Sequence, residues 1–171
     1  IAMADYNGVF DKAHIQDKLV SMSVDAETLY GLAAGSAALA SRTESGVMLP
    51  ETLSINAAKI YMNGAILRAG QSLADIGGGI LVTRPSSRDL KIPKVGDLLA
   101  KYHKGREGVD VNDRLKMARL CESLSGLSTP TTILSVIAAG PPATQRLNFR
   151  LLTDFKRDRK AAERLAGVSS S

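Results

Sequence analysis

Apolar residues recur at helical spacing near the start of the chain, from about Asp11 to Ser41. Steps of three and four residues separate them, and the series ends in alanine, at Ile15, Leu19, Met22, Ala26, Leu29, Ala33, Ala37 and Ala40. Such a stripe buries one side of an α-helix. Because small residues fill its second half, a neighbouring backbone can approach closely. We therefore predict a long helix that packs tightly against a partner helix.

A second long helix is predicted from Pro50 to about Ile76, because proline is favoured in the first turn of a helix. Apolar residues occupy more than one side of this segment, which is typical of a helix buried inside a protein or an oligomer. Its polar side chains then need partners. These side chains are Asn56, Lys59, Asn63, Arg68, Gln71 and Asp75.

The rest of the chain contains shorter segments. Gly77-Gly78-Gly79 ends the second helix, and Ile80–Thr83 is expected to be extended because Pro85 keeps Arg84 out of helical geometry. A short helix is predicted around Val95, Leu98, Leu99 and Tyr102, and another over Asp110–Ser125, capped by Asp110 or Asn112. A third is predicted over Thr131–Ala139. The last is predicted from Gly140-Pro141-Pro142 to about Ala166, and its residues expected to point inward are Leu147, Leu151, Phe155, Ala162 and Leu165. The pattern predicts an all-α, up-and-down helical bundle forming a single domain over residues 1–171.

The composition supports a helical core and excludes several classes of protein. Only 4% of the 171 residues are aromatic, so the core must pack aliphatic and alanine side chains closely. No apolar run is long enough to span a membrane, and Ile1–Asp11 lacks the pattern of a signal peptide. We therefore expect a cytoplasmic protein without a membrane partner. Cys121, the one cysteine, together with His14 and His103 is too little for an ordinary zinc site.

The chain carries a net charge of +5, and much of it lies near the C-terminus. The basic residues there are Lys156, Arg157, Arg159, Lys160 and Arg164, and they alternate with Asp154, Asp158 and Glu163. Alternating signs favour a solvated helix face over a nucleic-acid interface. We therefore expect no nucleic-acid partner.

The triple glycine is the one segment that suggests a ligand. Glycines let a backbone approach a phosphate group and present its N–H groups. However, the phosphate-binding pattern G-x-x-x-x-G-K-[ST] is absent, and the glycines follow a predicted helix rather than a strand. The simpler interpretation is a helix C-terminus with left-handed glycines. No catalytic triad or pair of catalytic carboxylates can be placed.

Several short motifs, in the same order along the chain, resemble one protein family. They are Ala4-Asp5-Tyr6-Asn7-Gly8, His14-Ile15-Gln16-Asp17-Lys18-Leu19, Ala26-Glu27-Thr28-Leu29-Tyr30, Ser45-Gly46-Val47-Met48-Leu49-Pro50, Asp75-Ile76-Gly77-Gly78-Gly79-Ile80-Leu81-Val82-Thr83-Arg84-Pro85-Ser86, Lys101-Tyr102, Arg119-Leu120-Cys121-Glu122-Ser123-Leu124 and Pro142-Ala143-Thr144-Gln145-Arg146-Leu147. This series resembles the C-terminal part of the 4-hydroxyphenylacetate 3-hydroxylase / 4-hydroxybutyryl-CoA dehydratase (vinylacetyl-CoA isomerase) family, over nearly the whole chain.

The resemblance implies a domain of a longer flavoenzyme with the acyl-CoA dehydrogenase architecture. In that architecture an N-terminal helical domain and a β-barrel precede a C-terminal helical bundle that drives tetramer formation. The chain resembles the bundle only, so its expected partners are another copy, in a dimer or tetramer, or the N-terminal flavoprotein portion. The resemblance implies FAD as cofactor, contacted by Asp75, Ile76, Gly77 and Gly78. It implies no catalytic residue and no metal ligand in this chain.

Two departures from the family pattern bear on the reaction. Ala74 stands where the family usually has glutamine before the glycine motif. Leu134 and Ile137 stand where the dehydratases have a glutamate, thought to be a catalytic base, and a histidine. Because leucine cannot transfer a proton, this favours a monooxygenase-type parent over dehydratase or isomerase chemistry.

We therefore expect the C-terminal domain of a flavin-dependent, 4-hydroxyphenylacetate 3-hydroxylase-like oxidoreductase, inactive alone, that supplies an oligomer interface and part of the FAD site. The alternatives are a diverged dehydratase/isomerase-like domain and a non-catalytic oligomerisation module.

Overall fold

The computed structural model of the chain describes residues 1–126 and 140–168, and it is predominantly helical. The helices are α1 (Ala2–Tyr6), α2 (Ala13–Ala38), α3 (Thr52–Gly77), α4 (Ile80–Thr83), α5 (Val95–Tyr102), α6 (Val111–Ser125), α7 (Pro142–Leu152) and α8 (Phe155–Leu165). A 3₁₀ turn covers Asp89–Lys91. The predicted all-α class is confirmed, while the predicted helix over Thr131–Ala139 lies outside the described residues.

A small hairpin stands where the sequence indicated only a connector between the two long helices. Strand β1 (Ser41–Arg42) pairs antiparallel with β2 (Met48–Leu49), and Ser41 lies opposite Leu49. The turn between them contains Gly46 with φ +86°, a conformation that glycine adopts at low cost.

The described residues divide into two compact units. One contains residues 1–29 and 62–126, and the other contains residues 30–61 and 140–168. The long helices α2 and α3 contribute residues to both units.

The first unit has a core of aliphatic and small side chains. Helices α1 and α4 both contact α6. The buried cluster consists of Met3, Ala4, Ile15, Ile76, Ile80, Leu81, Leu115, Ala118 and Cys121. None of these is aromatic, which agrees with the close packing expected from the composition. Each aliphatic side chain buried in this way stabilises the fold by about 1.5–3 kcal/mol.

The second unit contains the N-terminus of α3, which is capped by a glutamate. The Glu51 carboxylate accepts hydrogen bonds from the backbone N–H of Leu53 (2.8 Å) and of Ser54 (2.7 Å). Hydrogen bonds from the Ser54 side chain and these two N–H groups lower the pKa of Glu51. Ser36, which is buried, also donates its hydroxyl to the Glu51 carbonyl at 2.8 Å. The helix therefore starts at Thr52, two residues after the predicted start.

Helix α6 begins as predicted. The Asp110 side chain accepts from the N–H groups of Asn112 (2.9 Å) and Asp113 (3.2 Å), so Asp110 is the capping residue. These bonds satisfy donors that have no partner inside the helix.

The prediction of an extended segment at Ile80–Thr83 is wrong, because these residues form one helical turn, α4. The Thr83 N–H donates to the Gly79 carbonyl at 3.0 Å. Pro85 constrains only the residue before it, and Arg84 is indeed extended (φ −63°, ψ 142°). The proline therefore ends the turn and does not prevent it.

The last predicted helix is in fact two helices. Thr153 is extended (φ −81°, ψ 125°), and the Asp154 carboxylate accepts from the Arg157 N–H at 3.0 Å, which caps a new helix, α8. The apolar residues predicted to point inward are exposed in the described structure, namely Leu147, Leu151, Phe155, Ala162 and Leu165. Their spacing correctly identified an apolar side, but spacing alone does not show whether anything covers it.

None of the helices in the described parts of the chain combines the length and the apolar character that crossing a lipid bilayer requires.

Candidate functional site

The glycine segment forms the C-terminus of α3. Gly78 has φ +64°, and its N–H donates to the Ala74 carbonyl at 2.9 Å. This left-handed residue closes the helix in the manner expected of a glycine at that position. The simpler of the two interpretations of this segment is therefore confirmed as its local structure.

The four residues predicted to contact a cofactor differ in exposure. Asp75 and Gly78 are exposed, whereas Ile76 is only 4% exposed and Gly77 is buried. A Cβ atom on Gly77 would lie 2.6 Å from Cδ2 of Leu81, so this glycine permits α4 to pack against the end of α3. Of the four, Asp75 exposes a charged side chain and Gly78 exposes backbone whose N–H and carbonyl are already hydrogen-bonded, while Ile76 and Gly77 support the turn from the core.

The Asp75 carboxylate is charged and accessible. The Lys18 ammonium lies 2.9 Å from its Oδ2 atom, and the Asp75 side chain remains 64% exposed. The hydrogen bond and the charge of Lys18 lower the pKa of Asp75, so the group is anionic at neutral pH. A carboxylate in this state accepts hydrogen bonds from hydroxyl or amino groups and repels phosphate oxygens.

The turn also presents a backbone donor. Gly79 is exposed, and its N–H donates no hydrogen bond to any residue within 1–126 or 140–168. The glycine at this position leaves the backbone open, since nothing lies within 4 Å of the place where a Cβ would be. The site therefore combines one anionic acceptor, Asp75, with exposed backbone three and four residues later.

Hydrogen bonds of the Asn7 side chain form a clamp that holds the turn at the end of α3. Asn7 donates from Nδ2 to the Ile76 carbonyl at 2.9 Å. Its Oδ1 accepts from Arg114 Nη2 (2.7 Å) and Nε (3.0 Å), and Arg114 Nη1 donates to the His103 carbonyl at 2.7 Å. Partial burial lowers the pKa of Arg114, although an arginine stays charged. Asn7 thus links the end of α1, the end of α3 and the side of α6.

A second arginine fixes α4. Arg84 donates from Nη1 to the Leu81 carbonyl at 2.5 Å and pairs through Nη2 with the Glu122 carboxylate of α6. The Arg84 side chain is largely buried, so water and salt screen this ion pair less than a fully exposed one.

Sequence reasoning did not identify Asn7, Arg114 or Lys18 as contributors to this region. Asn7 and Lys18 do stand within the motifs that resemble the family, but those motifs assign them no role. Asn7 is separated by 69 residues from Ile76 and by 107 from Arg114. Contacts over such distances leave no periodic signal in a single sequence.

The described residues do not supply an evident catalytic group. Cys121 is buried, and burial raises the pKa of its thiol, which disfavours the reactive thiolate. Over residues 1–126 and 140–168, no group of three or more histidine, cysteine or acidic side chains is placed to hold a metal ion. Leu134 and Ile137, the positions that bear on dehydratase chemistry, lie outside the described residues.

Comparison with known proteins gives consistent matches. A family model described as "4-hydroxyphenylacetate 3-hydroxylase C terminal" matches residues 1–167. The 4-hydroxybutyryl-CoA dehydratase/vinylacetyl-CoA-Delta-isomerase of Clostridium aminobutyricum is 27% identical over an alignment of 175 positions, which covers 96% of this chain and 36% of that protein.

Solved structures match the fold. An oxygen-tolerant archaeal 4-hydroxybutyryl-CoA dehydratase from N. maritimus superposes with a TM-score of 0.89 at 32% identity, over 99% of this chain and 34% of that one. The oxygenase component of 4-hydroxyphenylacetate 3-monooxygenase, solved with FAD, superposes with a TM-score of 0.84 at 21% identity, over 95% of this chain and 34% of that one. The latter likeness shows the fold alone. The chain spans about a third of the length of these relatives.

Proposed function

Because the chain belongs to the 4-hydroxyphenylacetate 3-hydroxylase C-terminal family, as its motifs predicted, we propose that it acts as the C-terminal helical domain of a flavin-dependent, hydroxylase-like oxidoreductase. The observation that carries this proposal is the family match over residues 1–167. The chain corresponds to about a third of the length of its relatives. The proposed reaction therefore needs residues that this domain does not provide.

The proposed contribution of the domain to the cofactor site is the turn at the end of α3. Asp75 is suited to accept a hydrogen bond from a ribose hydroxyl or an adenine amino group of FAD. The exposed backbone at Gly78 and Gly79 permits close approach of the cofactor, while Ile76 and Gly77 support the turn from the core. Bound FAD would supply the redox chemistry of the enzyme. An FAD complex of a structurally similar oxygenase supports this proposal.

The second proposed contribution is an oligomer interface between copies of this chain. Helix α2 exposes two valines one turn apart, Val20 by 59% and Val24 by 56%, and they line an open apolar groove of about 440 Å³ with Leu19 and Phe10. Contiguous apolar surface of this kind is typical of protein–protein interfaces. Light scattering over a range of chain concentrations should give a dimer or a tetramer. A monomer at every concentration would contradict this part of the proposal.

A diverged dehydratase/isomerase-like domain is the second candidate, and a specific observation favours it. Identity is 32% to the archaeal dehydratase but 21% to the FAD-bound oxygenase. Against it, Leu134 and Ile137 replace the glutamate and histidine of the dehydratases, which removes the groups suited to move a proton. A non-catalytic oligomerisation module is the third candidate, and it predicts self-association without any affinity for flavin.

A chimera tests the cofactor role directly. The chain, joined to the N-terminal two thirds of the archaeal relative, is titrated with FAD while flavin fluorescence is followed. We expect saturable quenching, and we expect Asp75→Asn to weaken binding about fivefold, because the amide oxygen of asparagine is a weaker hydrogen-bond acceptor than a carboxylate by about 1 kcal/mol. Asp113→Asn is the matched control, because Asp113 is also exposed and pairs with a lysine, Lys116, at 2.8 Å.

The possible results separate the candidates. A chimera that folds but does not bind FAD would contradict the flavin role and favour the oligomerisation module. FAD binding that Asp75→Asn leaves unchanged would contradict the proposed turn while leaving the flavin role in place. Turnover of a 4-hydroxybutyryl-CoA substrate, measured on the FAD-loaded chimera, would favour the dehydratase candidate over the hydroxylase.

A further inference from the structure

Helix α8 bears an open pocket of about 810 Å³ on its basic side. Lys156, Arg157, Lys160 and Arg164 line it, and Asp154 contributes the one acidic side chain among its described lining residues. The Asp154 carboxylate is already engaged, because it accepts a hydrogen bond from the Arg157 N–H at the start of the helix. The pocket is therefore strongly positive.

The spacing of the basic residues places their charges in a row. Lys156, Lys160 and Arg164 follow one another at intervals of four residues, so they lie on the same side of α8. At 1.5 Å per residue, the row extends over about 12 Å along the helix. Arg157 lies next to this row.

Three of these charges have no acidic partner among residues 1–126 and 140–168. In the part of the chain that the structure describes, Lys156, Lys160 and Arg164 form no ion pair. The helix does pair other charges: Arg157 with Asp158 at 3.1 Å, and Arg159 with Glu163 at 2.7 Å. Of the four cations that line the pocket, Arg157 therefore has an acidic partner, and the row of Lys156, Lys160 and Arg164 has none among the described residues. Like charges four residues apart repel each other in the free helix, and a bound anion would relieve that repulsion.

The size and lining of the pocket favour a small anion. A volume of about 810 Å³ falls within the usual range for small-molecule sites. Its described lining includes no aromatic side chain on which a nucleic-acid base would stack. Lysine and arginine side chains together are the usual ligands of phosphate groups. Two linked phosphates carry about three negative charges, which matches the three unpaired cations.

We propose that the row formed by Lys156, Lys160 and Arg164 on α8 binds a small molecule that bears a diphosphate group. The proposal does not depend on the flavin role, because it concerns residues other than those of the α3 turn. The diphosphate is either free or part of a nucleotide, and the two sources are distinguished by experiment.

Isothermal titration of the full chain with inorganic pyrophosphate, and separately with ADP, tests this proposal at low salt. Saturable binding is expected for at least one of them, and it should weaken as salt is added. Equal affinities indicate recognition of the diphosphate alone, whereas tighter binding of ADP indicates a nucleotide. Lys160→Gln should weaken binding about threefold, and the triple change of Lys156, Lys160 and Arg164 to glutamine more than tenfold, since each exposed charge contributes a fraction of a kcal/mol.

Arg159→Gln is the matched control, because Arg159 belongs to the same helix but pairs with Glu163 and does not line the pocket. Circular dichroism verifies that each variant keeps its helix content. The proposal is overturned if neither ligand binds saturably, if Arg159→Gln weakens binding as much as Lys160→Gln does, or if the triple variant binds like the unmodified chain. Binding to phosphatidylserine vesicles but to neither ligand would also overturn it and would identify a membrane surface instead.

Discussion

Substitution of Asn7 by alanine is the sharpest test of how the candidate site is held. The side chain of Asn7 forms three hydrogen bonds: one to the Ile76 carbonyl and two from the Arg114 guanidinium. Alanine removes all three, and among the described residues it leaves Arg114 with the His103 carbonyl as its one hydrogen-bond partner, at 2.7 Å. The end of α3 is then no longer tied to α6 at this point.

The magnitude follows from the kinds of bonds that are lost. A neutral hydrogen bond such as that to Ile76 contributes about 1 kcal/mol, and bonds from a charged guanidinium contribute about 1.5–3 kcal/mol. Asn7 and Arg114 are half-buried, so water replaces part of what is lost. We therefore expect Asn7→Ala to lower the free energy of unfolding by about 2 kcal/mol, which moves a urea midpoint by about 1 M at an m-value of about 2 kcal/mol/M.

Urea denaturation followed by circular dichroism measures this difference. Asn112→Ala is the matched control, since Asn112 is exposed and its side chain forms no hydrogen bond within the described residues; the midpoint should hardly move. Asn7→Asp keeps the acceptor for Arg114 but places a carboxylate oxygen against the Ile76 carbonyl, so it should also destabilise the fold. If Asn7→Ala shifts the midpoint no more than Asn112→Ala does, the clamp does not hold the turn and the reasoning is wrong.

Further predictions concern backbone and capping. Gly77→Ala should destabilise the fold by about 1–3 kcal/mol, because its Cβ would meet Leu81 at 2.6 Å, and an unchanged urea midpoint would contradict the packing described. Gly35→Ala, in the interior of α2 with nothing within 4 Å, should instead stabilise it by about 0.5–1 kcal/mol; a loss of stability there would show a contact that the structure lacks. For Glu51 the pKa is lowered in the folded chain, so its capping contribution is present above the ordinary value of 4.5 and disappears as the pH falls through the lower folded value. Denaturation as a function of pH should therefore show that Glu51→Gln is less stable than the unmodified chain at neutral pH, with the difference shrinking in acid; a constant difference would count against a charged cap.

Local signals in the sequence predicted the long helices well. The spacing of apolar residues located α2 and α3 to within a few residues, because steps of three and four residues are the period of an α-helix. Asp110 was identified as a candidate cap for α6 because an aspartate before an apolar repeat has a local function. Both features depend on residues close together in the chain.

Non-local features were not predictable in this way. The start of α8 was missed because the pattern of Leu151 and Phe155 continues across Thr153. The break appears in the structure, where Thr153 is extended and the Asp154 carboxylate accepts a hydrogen bond from the Arg157 N–H. The clamp of Asn7 was missed for a different reason. Nothing in a single sequence relates Asn7 to Arg114, since their contact depends on how α1 and α6 pack together.

The glycine segment shows that a motif can identify a family without showing which of its residues are able to contact a ligand. Successive residues of an α-helix point about 100° apart, so consecutive helical residues cannot all face one ligand. Asp75 accordingly points to solvent while Ile76 and Gly77 enter the core. This regular rotation of successive residues stops where the helix ends, at Gly78. A contiguous motif at a helix C-terminus therefore divides into residues that are exposed and residues that hold the turn. The proposed flavin contact predicts that substitution of Asp75 changes mainly the affinity for FAD, whereas substitution of Gly77 changes mainly the stability of the fold.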